Sequence, residues 1–448
     1  MLIRYSVENF LSFNKRQSFS MSASQGTRHK DHLISIKDHK LLKCGLIFGA
    51  NASGKSNFIK SISFAVNLVL DGLGKTDLNN KFFKLNSNNY KKPGVFQFDL
   101  CINNEFYNYG FAISYSEKEI VSEWLYTGQN FETCIFERNL HNNSYDIKTD
   151  YKLRDPDKTR FNIYREDYIN NANKSMSKKL FLSDIATRTS LESNYFKHYI
   201  NVFTEFNNII ILFPDSRYIQ LGNVAKNQTL KQLFERFLLC FDTGIEKVEN
   251  VKIEFEKIFG DTNVEQIEKI KQDISNKIHK NGTLNLRIND DVLSLNLDST
   301  GNILVSKMLL DHGNKDNLFD CSEESDGTQR LFDFIPLFFQ ENNDKLIIID
   351  EIDRSLHNKL SKRFLELYFM LSKKTNSQII ATTHETSLMD LDLLRQDEIW
   401  FIERESDHSS SIYSLNRFKE RYDKSAEKEY LLGKYGAIPV FTQFTYEE

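Results

Sequence analysis

Residues 49–56, which read GANASGKS, have the types and the spacing needed to bind phosphate. They fit the pattern G-x-x-x-x-G-K-[ST], in which backbone N–H groups surround a polyphosphate, the lysine reaches the β- and γ-phosphates, and the hydroxyl holds Mg²⁺. The glycines allow a close approach that a Cβ would block. We call residues 49–56 the P-loop. The predicted nucleotide-binding residues are Gly49, Ala50, Asn51, Ala52, Ser53, Gly54, Lys55, Ser56 and Asn57.

Two acidic residues far downstream supply the second half of such a site. Residues 346–351 read LIIIDE, which predicts a buried parallel strand with two carboxylates at its carboxyl end. Asp350 is predicted to hold Mg²⁺ through water together with Ser56, and Glu351 to act as the general base for the attacking water. Because Asp350 and Lys55 are 295 residues apart but must meet at one magnesium ion, the chain between them is interpreted as containing a large insertion in one ATPase head.

Two further segments narrow the class of site. Residues 322–331 read SEESDGTQRL and resemble the signature motif of ABC-type ATPases, although an Asp follows the Ser and a Thr separates the Gly from the Gln. The matching positions are Ser325, Gly327 and Gln329. His384 follows the apolar run QIIATT and resembles the switch histidine of the same class, which contacts the γ-phosphate. Residues 353–357 occupy the D-loop position but depart from its common form, so no individual role is assigned there.

The resemblance to ABC-type ATPases implies that two copies of the chain act together. In that class the signature loop caps the γ-phosphate of a nucleotide held by a second subunit. Ser325 and the N–H of Gly327 would donate to that phosphate, and the helix after them would direct its positive end toward it. One P-loop and one signature motif per chain therefore predict two ATP molecules between two copies, across an isologous interface. Gln97 or Gln129 is a candidate for the Q-loop glutamine, and both also suit ordinary surface positions of a β-sheet.

Hydrophobic spacing predicts the elements that must position these residues. Residues 41–48 suit a buried strand before the P-loop, and residues 57–73 carry apolar side chains at helical spacing. Residues 95–150 alternate like an antiparallel β-meander, residues 155–280 are richer in helical patterns, and residues 320–405 complete a parallel sheet. No sustained heptad pattern occurs, so a long coiled-coil arm is not expected.

The predicted fold class is therefore α/β. We expect a P-loop NTPase with an ABC-type ATPase head, in which helices flank a mixed sheet beside an amino-terminal antiparallel β subdomain and a largely helical inserted lobe. The expected domains are residues 1–150 as the first half of the head, 151–282 as the mainly helical insertion, and 283–448 as the second half with the signature, the acidic strand and the switch histidine.

Net charge, cysteine count and the lengths of apolar runs argue against a strongly basic, a disulfide-framed and a membrane-spanning protein. The formal net charge of −4 gives no overall field that attracts nucleic acid, although the basic segments 173–179 and 417–428 could form a local patch or be solvated faces. The five cysteines are scattered and odd in number, which favours reduced thiols over a disulfide framework or a zinc site. No signal peptide and no run of 18 apolar residues is present, so we expect a cytoplasmic protein that does not enter a membrane.

The order of the motifs resembles that of the stand-alone RecF/SMC/OLD-like ATPases. The matching segments are VENFLSF, GANASGKSN, SDGTQRL, IIIDEID and TTHE. The tail YLLGKYGAIPVF at 430–441 is similar to that of the subgroup that includes RloA and the AbiL-type abortive-infection ATPases. This resemblance implies ATP rather than GTP as the nucleotide, a homo-oligomer, and a role in anti-phage defence beside a separate effector such as a Toprim- or RloB-type nuclease.

Three functions stay open on the sequence alone. The first is an ATP-driven sensor and scaffold that controls an effector, the second is a RecF-like repair ATPase that binds DNA, and the third is a non-catalytic nucleotide-dependent assembly protein. Glu351 argues against the third, because loss of that carboxylate is the simple way to lose turnover. About 60 residues follow His384, too few for a Toprim domain, so Asp390 and Asp392 are interpreted as solvated acids and no nuclease activity is expected of this chain.

Overall fold

The computed structural model describes residues 1–141, 144–169, 175–189, 193–217, 221–255, 264–288, 290–339, 344–418 and 425–439. Contacts between residues divide the chain into two units. The first comprises Met1–Pro214, Asn343–Ile352 and Phe369–Glu448, and the second comprises Asp215–Asn342 and Asp353–Tyr368. This division differs from the three segments expected from the sequence, because residues 151–214 group with the first unit and residues 283–342 with the second.

The first unit contains two large sheets and a short hairpin. Its strands are β1 (Leu2–Glu8), β2 (Gln17–Ser20), β3 (Leu33–Ile36), β4 (His39–Leu42), β5 (Cys44–Phe48), β6 (Gly94–Ile102), β7 (Glu105–Ser114), β8 (Glu119–Thr127), β9 (Thr133–His141), β10 (Ser144–Lys148), β11 (Ile210–Leu212), β17 (Leu346–Ile349), β18 (Gln378–Thr382), β19 (Ile399–Arg404) and β20 (Ser410–Ser414). The seven-stranded sheet has the order β10-β9-β8-β7-β6-β1-β2, and the six-stranded sheet has the order β11-β17-β18-β5-β19-β20. Strands β3 and β4 pair with each other.

The second unit carries its own sheet. Its strands are β12 (Lys247–Ile253), β13 (Leu284–Ile288), β14 (Asp291–Leu297), β15 (Ile303–Asp311) and β16 (Phe319–Asp320). They pair in the order β12-β15-β14-β13, with β16 also paired to β15. The segment 151–282 contains α2 to α7, in keeping with its mainly helical pattern, and also β12, which pairs with β15 more than 50 residues away along the chain.

Ten α-helices occur among the described residues. They are α1 (Lys55–Asp71), α2 (Asp157–Ile169), α3 (Phe181–Arg188), α4 (Lys197–Asn207), α5 (Leu221–Lys226), α6 (Gln228–Cys240), α7 (Val264–Asn281), α8 (Asp326–Phe334), α9 (Asn358–Leu371) and α10 (Ala426–Leu431). The helical spacing after the P-loop predicted α1 correctly to within two residues at each end. Fold class is thus confirmed as α/β, with a mixed sheet, flanking helices and an antiparallel amino-terminal sheet.

The predicted β-meander is confirmed by β6 to β10, which are sequential antiparallel neighbours. Alternation of apolar and polar residues is typical of strands that bury one face. Asn103 and Asn104 form the turn between β6 and β7, and both have positive φ angles of 52° and 61°. Asparagine tolerates this left-handed conformation, and two such residues in succession match the right-handed twist of the strands.

The single strand expected at 41–48 is divided in two at Lys43. Leu41 and Leu42 belong to β4, and β5 begins at Cys44. The Lys43 side chain is buried, and its Nζ donates to the carbonyl oxygen of Ser372. An apolar run with one lysine reads as one strand from the sequence, because the buried carbonyl partner of that lysine is distant in the chain.

Aromatic rings fix α1 in the core of the first unit. The ring of Phe58, one turn into the helix, packs against those of Tyr5 (5.7 Å between centroids), Phe13 (6.1 Å) and Phe19 (5.6 Å). The Phe19 ring also lies 4.7 Å from that of Trp400 in β19. Because these contacts join strands of both large sheets to the first turns of α1, they hold the end of the helix that begins at the P-loop.

A buried ion pair holds α3 to the seven-stranded sheet. The side chains of Arg138 and Glu123 are both 0% exposed, with Nη1 and Oε2 3.4 Å apart. Glu123 accepts the N–H groups of Phe181 (2.6 Å) and Leu182 (2.9 Å) at the start of α3. Burial raises the pKa of the Glu123 carboxyl, and Arg138 opposes that rise. Without Arg138 the carboxylate would be buried without its cation, which is costly.

We expect Arg138→Met to lower the free energy of unfolding by about 3 kcal/mol, because it leaves the buried Glu123 charge uncompensated. Chemical denaturation monitored by fluorescence measures the loss. The control is Lys148→Met, since Lys148 is 58% exposed in its ion pair with Glu137 and its replacement should cost less than about 1 kcal/mol. If both variants lost the same small amount of unfolding free energy, the stabilisation assigned to the buried Arg138–Glu123 pair would be contradicted.

Candidate nucleotide-binding site

The P-loop lies at the carboxyl end of β5, in the interior of the six-stranded sheet. Strand β5 is parallel to β18 on one side and to β19 on the other, and β17 is parallel to β18. All five residues of β5 are buried. Parallel neighbours end at the same edge of a sheet, so the residues that follow β5, β17 and β18 meet there. These are the P-loop, the two acids and the predicted switch histidine.

Two glycines of the P-loop are required by their surroundings. A Cβ on Gly49 would lie 2.3 Å from the carbonyl oxygen of Ile402, and a Cβ on Gly54 would lie 2.1 Å from Oγ of Ser410. Gly54 also has a φ angle of 112°, a conformation that side chains disfavour. The structure therefore explains why glycine stands at both positions of the motif.

The Lys55 ammonium is held inside the loop. The residue is 5% exposed, and its Nζ donates to the carbonyl oxygens of Gly49 (2.7 Å) and Ala50 (3.0 Å). Nδ1 of His384 lies 3.4 Å from the same nitrogen. Lys55 is also the first residue of α1, whose free N–H groups and dipole favour an anion. The loop, the ammonium and the helix end thus converge on a position suited to phosphate.

Ser56 and Asp350 come together as the sequence predicted. Ser56 Oγ donates to Oδ1 of Asp350 at 3.3 Å, although 294 residues separate the two. Asp350 is 2% exposed, and its oxygen Oδ1 also accepts from the hydroxyl of Thr382 at 2.6 Å. Among the described residues, no Lys, Arg or His forms an ion pair with Asp350. A buried carboxylate bonded only to neutral hydroxyls favours a bound cation.

Glu351 follows in an unusual backbone conformation. Its φ angle is 54°, and its N–H donates to Oγ1 of Thr382 at 2.8 Å. The N–H of Ile352 donates to the Thr382 carbonyl at 3.0 Å, and that of Asp350 to the Leu212 carbonyl at 2.8 Å. A non-glycine residue in this region costs ~1–3 kcal/mol, and such strain clusters at functional sites. Two flanking hydrogen bonds hold Glu351 in this turn directly after the strand.

Thr382 is a site residue that the sequence analysis missed. Its buried hydroxyl accepts from the Glu351 N–H and donates to Asp350, so it connects the two predicted acidic residues. The signal is present in the sequence as the two threonines, Thr382 and Thr383, directly before His384. A threonine at the end of an apolar strand is too common to mark a site, and only the pairing of β17 with β18 shows its partner.

His384 is exposed and follows β18 by two residues. The N–H of Thr383 donates to the Ile47 carbonyl at 3.0 Å, which ties this loop to β5 just before the P-loop. Glu385 caps the short helical turn Thr386–Leu388 by accepting the N–H of Ser387 at 3.1 Å. His384 is thereby placed next to the Lys55 ammonium.

The signature residues lie in the second unit, outside this group. Ser325 is the N-cap of α8, and its Oγ accepts the N–H of Thr328 at 3.2 Å. A Cβ on Gly327 would lie 2.7 Å from the carbonyl oxygen of Ser355, which belongs to the D-loop segment of the same unit. Gln329 donates from its side chain to the Glu324 carbonyl at 3.0 Å. The motif thus forms a capped helix start whose glycine is in close contact with the D-loop.

The other candidates from the sequence occupy ordinary structural positions. Gln97 lies in β6, donates to Asp99 and accepts from Arg16, while Gln129 is exposed in the turn after β8. Neither position identifies a Q-loop glutamine. The side chain of Asp392 is 91% exposed and forms an ion pair with Arg28. Parts of the basic segments (173–174 and 419–424) and of the tail (440–441) lie outside the described residues.

The parallel sheet, the P-loop, the helix beginning at Lys55 and the paired acids after β17 define an α/β P-loop ATPase with an ABC-type head. The family described as "AAA domain, putative AbiEii toxin, Type IV TA system" matches residues 46–390, which is more than half of the chain. The chain belongs to this family. The match confirms the resemblance to a family of AAA-type ATPases that the motifs indicated.

Three solved structures of SMC head domains are similar to the chain over most of its length. The SMC head bound to the C-winged helix domain of ScpA is 14% identical with a TM-score of 0.43, and the match covers 94% of this chain and 99% of that chain. The SMC head domain from Thermotoga maritima is 12% identical with a TM-score of 0.37, and the match covers 92% of this chain and 98% of that chain. The Smc head domain with an extended coiled coil bound to the C-terminal domain of ScpA derived from Pyrococcus furiosus is 14% identical with a TM-score of 0.35, and the match covers 97% of this chain and 98% of that chain. No curated protein matches the chain. None of the helices among the described residues has the length and apolar character needed to cross a membrane.

Proposed function

We propose that this protein binds and hydrolyses ATP with Mg²⁺ between two copies of itself, and that the closed pair is a sensor and scaffold controlling a separate effector in bacterial anti-phage defence. The observation that carries the nucleotide part is the convergence of Lys55, Ser56, Asp350 and Glu351 at one edge of the parallel sheet. Residues from two widely separated segments meet there in an arrangement suited to phosphate chemistry.

The residues at this edge fit a magnesium ion. Mg²⁺ prefers oxygen ligands and commonly takes one or two from the protein, with the others from water and phosphate. Ser56 Oγ and Asp350 Oδ1 are 3.3 Å apart, and the carboxylate has no protein cation among the described residues. Ser56 would bind the ion directly and Asp350 through water. When bound, the ion would neutralise charge that develops on the β- and γ-phosphates.

The remaining residues would divide the work of hydrolysis. Lys55 and the P-loop N–H groups bind the phosphates, as the geometry of the loop supports. Glu351, held by its bond to Thr382, positions a water and accepts its proton. His384, 3.4 Å from the Lys55 ammonium, contacts the γ-phosphate and is the residue that distinguishes ATP from ADP. Cleavage of the terminal phosphate would remove the group that His384 contacts.

Two copies are needed because each chain has one P-loop and one signature motif. Ser325 and Gly327 stand at the start of α8, where a helix end and a hydroxyl can bind a phosphate held by the other copy. Each site would then be built from the first unit of one copy and the second unit of its partner. This predicts that defects in the two motifs complement each other.

We expect Lys55→Ala and Ser325→Arg to be inactive separately and to recover about a quarter of the wild-type ATPase rate when combined in equal amounts. Half of the dimers would be mixed, and each mixed dimer would hold one intact site of two, if the sites act independently. The measurement is the ATPase rate of co-expressed and of separate variants. Ser325→Arg should still bind ATP as a single chain. No recovery in mixed dimers of confirmed composition would contradict a site shared between copies.

The proposed effector control rests on two supports. The family description names AbiEii toxins and a type IV TA system, and the tail at 430–441 is similar to that of abortive-infection ATPases. The partner would be a separate protein, such as a Toprim- or RloB-type nuclease, met in the cytoplasm. The alternative, a RecF-like function, would require binding of DNA.

A capture experiment tests effector control. Tagged Glu351→Gln protein, which should stay closed around ATP, is isolated from its native host with and without phage infection, and mass spectrometry identifies the retained molecules. Lys55→Ala is the control that should not close. A nuclease retained only by Glu351→Gln supports the proposal. Retention of DNA with repair factors, and of no effector, would favour the RecF-like alternative.

A further inference from the structure

Two serine hydroxyls from opposite ends of the chain meet beneath the P-loop. Ser410 is the first residue of β20 and is 2% exposed, and Ser12 lies between β1 and β2. The N–H of Ser410 donates to the Ser12 carbonyl at 2.7 Å, and the two Oγ atoms are 2.8 Å apart. The Ser410 hydroxyl donates to the carbonyl oxygen of Ser53 at 2.5 Å. Ser12 lies in the segment VENFLSF, for which no residue role is assigned above, and Ser410 belongs to none of the motifs.

The donor directions follow from the chemistry of the hydroxyl. A serine hydroxyl has one hydrogen and two lone pairs. The Ser410 hydroxyl is the donor toward both the Ser53 carbonyl and Ser12 Oγ, and its single hydrogen has the shorter distance to the Ser53 carbonyl. Ser12 holds Ser410 through the main-chain bond from the Ser410 N–H to the Ser12 carbonyl. The two serines thus connect the segment after β1 to a main-chain carbonyl of the P-loop.

The bond to Ser53 also orients a phosphate donor. In a planar trans peptide, the carbonyl and the following N–H point in opposite directions. The Ser53 carbonyl is directed at Ser410, so the N–H of Gly54 is directed to the opposite side of the loop, where the proposed nucleotide phosphates would lie. Glycine permits several backbone conformations, so Gly54 alone does not fix this peptide. The hydrogen bond from the Ser410 hydroxyl to the Ser53 carbonyl holds the peptide in this orientation.

We infer that Ser410 is a positioning residue for nucleotide binding, which holds the Ser53–Gly54 peptide with its N–H toward the phosphates, and that Ser12 holds Ser410 in turn. This inference rests on the proposed binding of ATP at the P-loop. The close approach supports it, because the Ser410 Oγ lies 2.1 Å from the position that a Cβ of Gly54 would take. Without the hydroxyl, the buried Ser53 carbonyl would lack its bond, and rotating the peptide would direct that carbonyl at the phosphates.

The test compares nucleotide affinities of serine variants by isothermal titration. Ser410→Ala should raise the Kd for ATP and for ADP roughly tenfold, as expected for losing one hydrogen bond that leaves a buried carbonyl unpaired. Ser410→Thr keeps the hydroxyl and should bind within about threefold of the wild type. Ser12→Ala leaves the bond to Ser53 in place and should have an effect smaller than that of Ser410→Ala.

The matched control is Ser183→Ala. The Ser183 hydroxyl donates to the Val69 carbonyl at 2.5 Å, near the other end of α1, so the same kind of bond is removed away from the loop. Its affinity for ATP should equal that of the wild type, and thermal unfolding reports any general loss of stability in each variant. If the wild type binds no ATP, the proposed function fails. If the wild type binds and Ser410→Ala binds equally well, or no worse than Ser183→Ala, the inference is overturned.

Discussion

Replacement of Glu351 by glutamine should lower kcat for ATP hydrolysis about 1000-fold and leave ATP bound. General bases contribute factors of this order, and an amide cannot accept the proton of the attacking water. The backbone bond from residue 351 to Thr382 does not depend on the side chain, so the loop geometry should persist. Phosphate release measures the rate, and titration with ATP measures the affinity.

The matched control is Glu385→Gln, in the loop after His384. Glu385 accepts the N–H of Ser387 through Oε1, which a glutamine oxygen can also do, so the ATPase rate should change less than about threefold. Normal turnover in Glu351→Gln would remove Glu351 from the role of general base. A loss of ATP binding in that variant would assign it to binding and not to the chemical step.

The second large effect is expected for Lys55→Ala, which should weaken ATP binding about 1000-fold. Truncating one partner of a buried charge pair costs up to several kcal/mol, and a 1000-fold change corresponds to about 4 kcal/mol. Lys55 is buried against the Gly49 and Ala50 carbonyls, so its charge acts at the mouth of the loop with little screening by water. Equilibrium binding of a fluorescent ATP analogue measures the change.

Lys60→Ala is the control for the loss of a positive charge. Lys60 is exposed on the same helix, a little more than one turn after Lys55, and its replacement should change the affinity less than about twofold. Wild-type affinity in Lys55→Ala would show that nucleotide is bound elsewhere than at the P-loop. Similar losses in both variants would indicate a general electrostatic effect of α1.

The sequence predicts those parts of the candidate site whose residues lie close together along the chain. The P-loop is one continuous segment whose glycines, lysine and serine each have a required place. Asp350 and Glu351 were found because an apolar strand that ends in acids is distinctive. Thr382, Ser12 and Ser410 were not found, because each acts through a partner that only the pairing of distant strands brings near.

For the fold too, the sequence predicts the elements whose pairing partners are neighbours along the chain. Alternation of apolar and polar residues predicts the β-meander, in which neighbours in sequence are neighbours in the sheet. Helical spacing likewise predicts that the segment 151–282 is mainly helical, and α2 to α7 lie in it. The long-range pairing of β12 with β15, and the grouping of residues 151–214 with the first unit, leave no local signal in the sequence.

The most direct test of the central claim is the mass of Glu351→Gln in solution, measured by size-exclusion chromatography with light scattering. With ATP and Mg²⁺ the account predicts the mass of two chains, and without nucleotide the mass of one. Adding Lys55→Ala or Ser325→Arg to the same protein should abolish the change. A single-chain mass in saturating ATP, with ATP binding confirmed, would contradict the account that two copies close around the nucleotide.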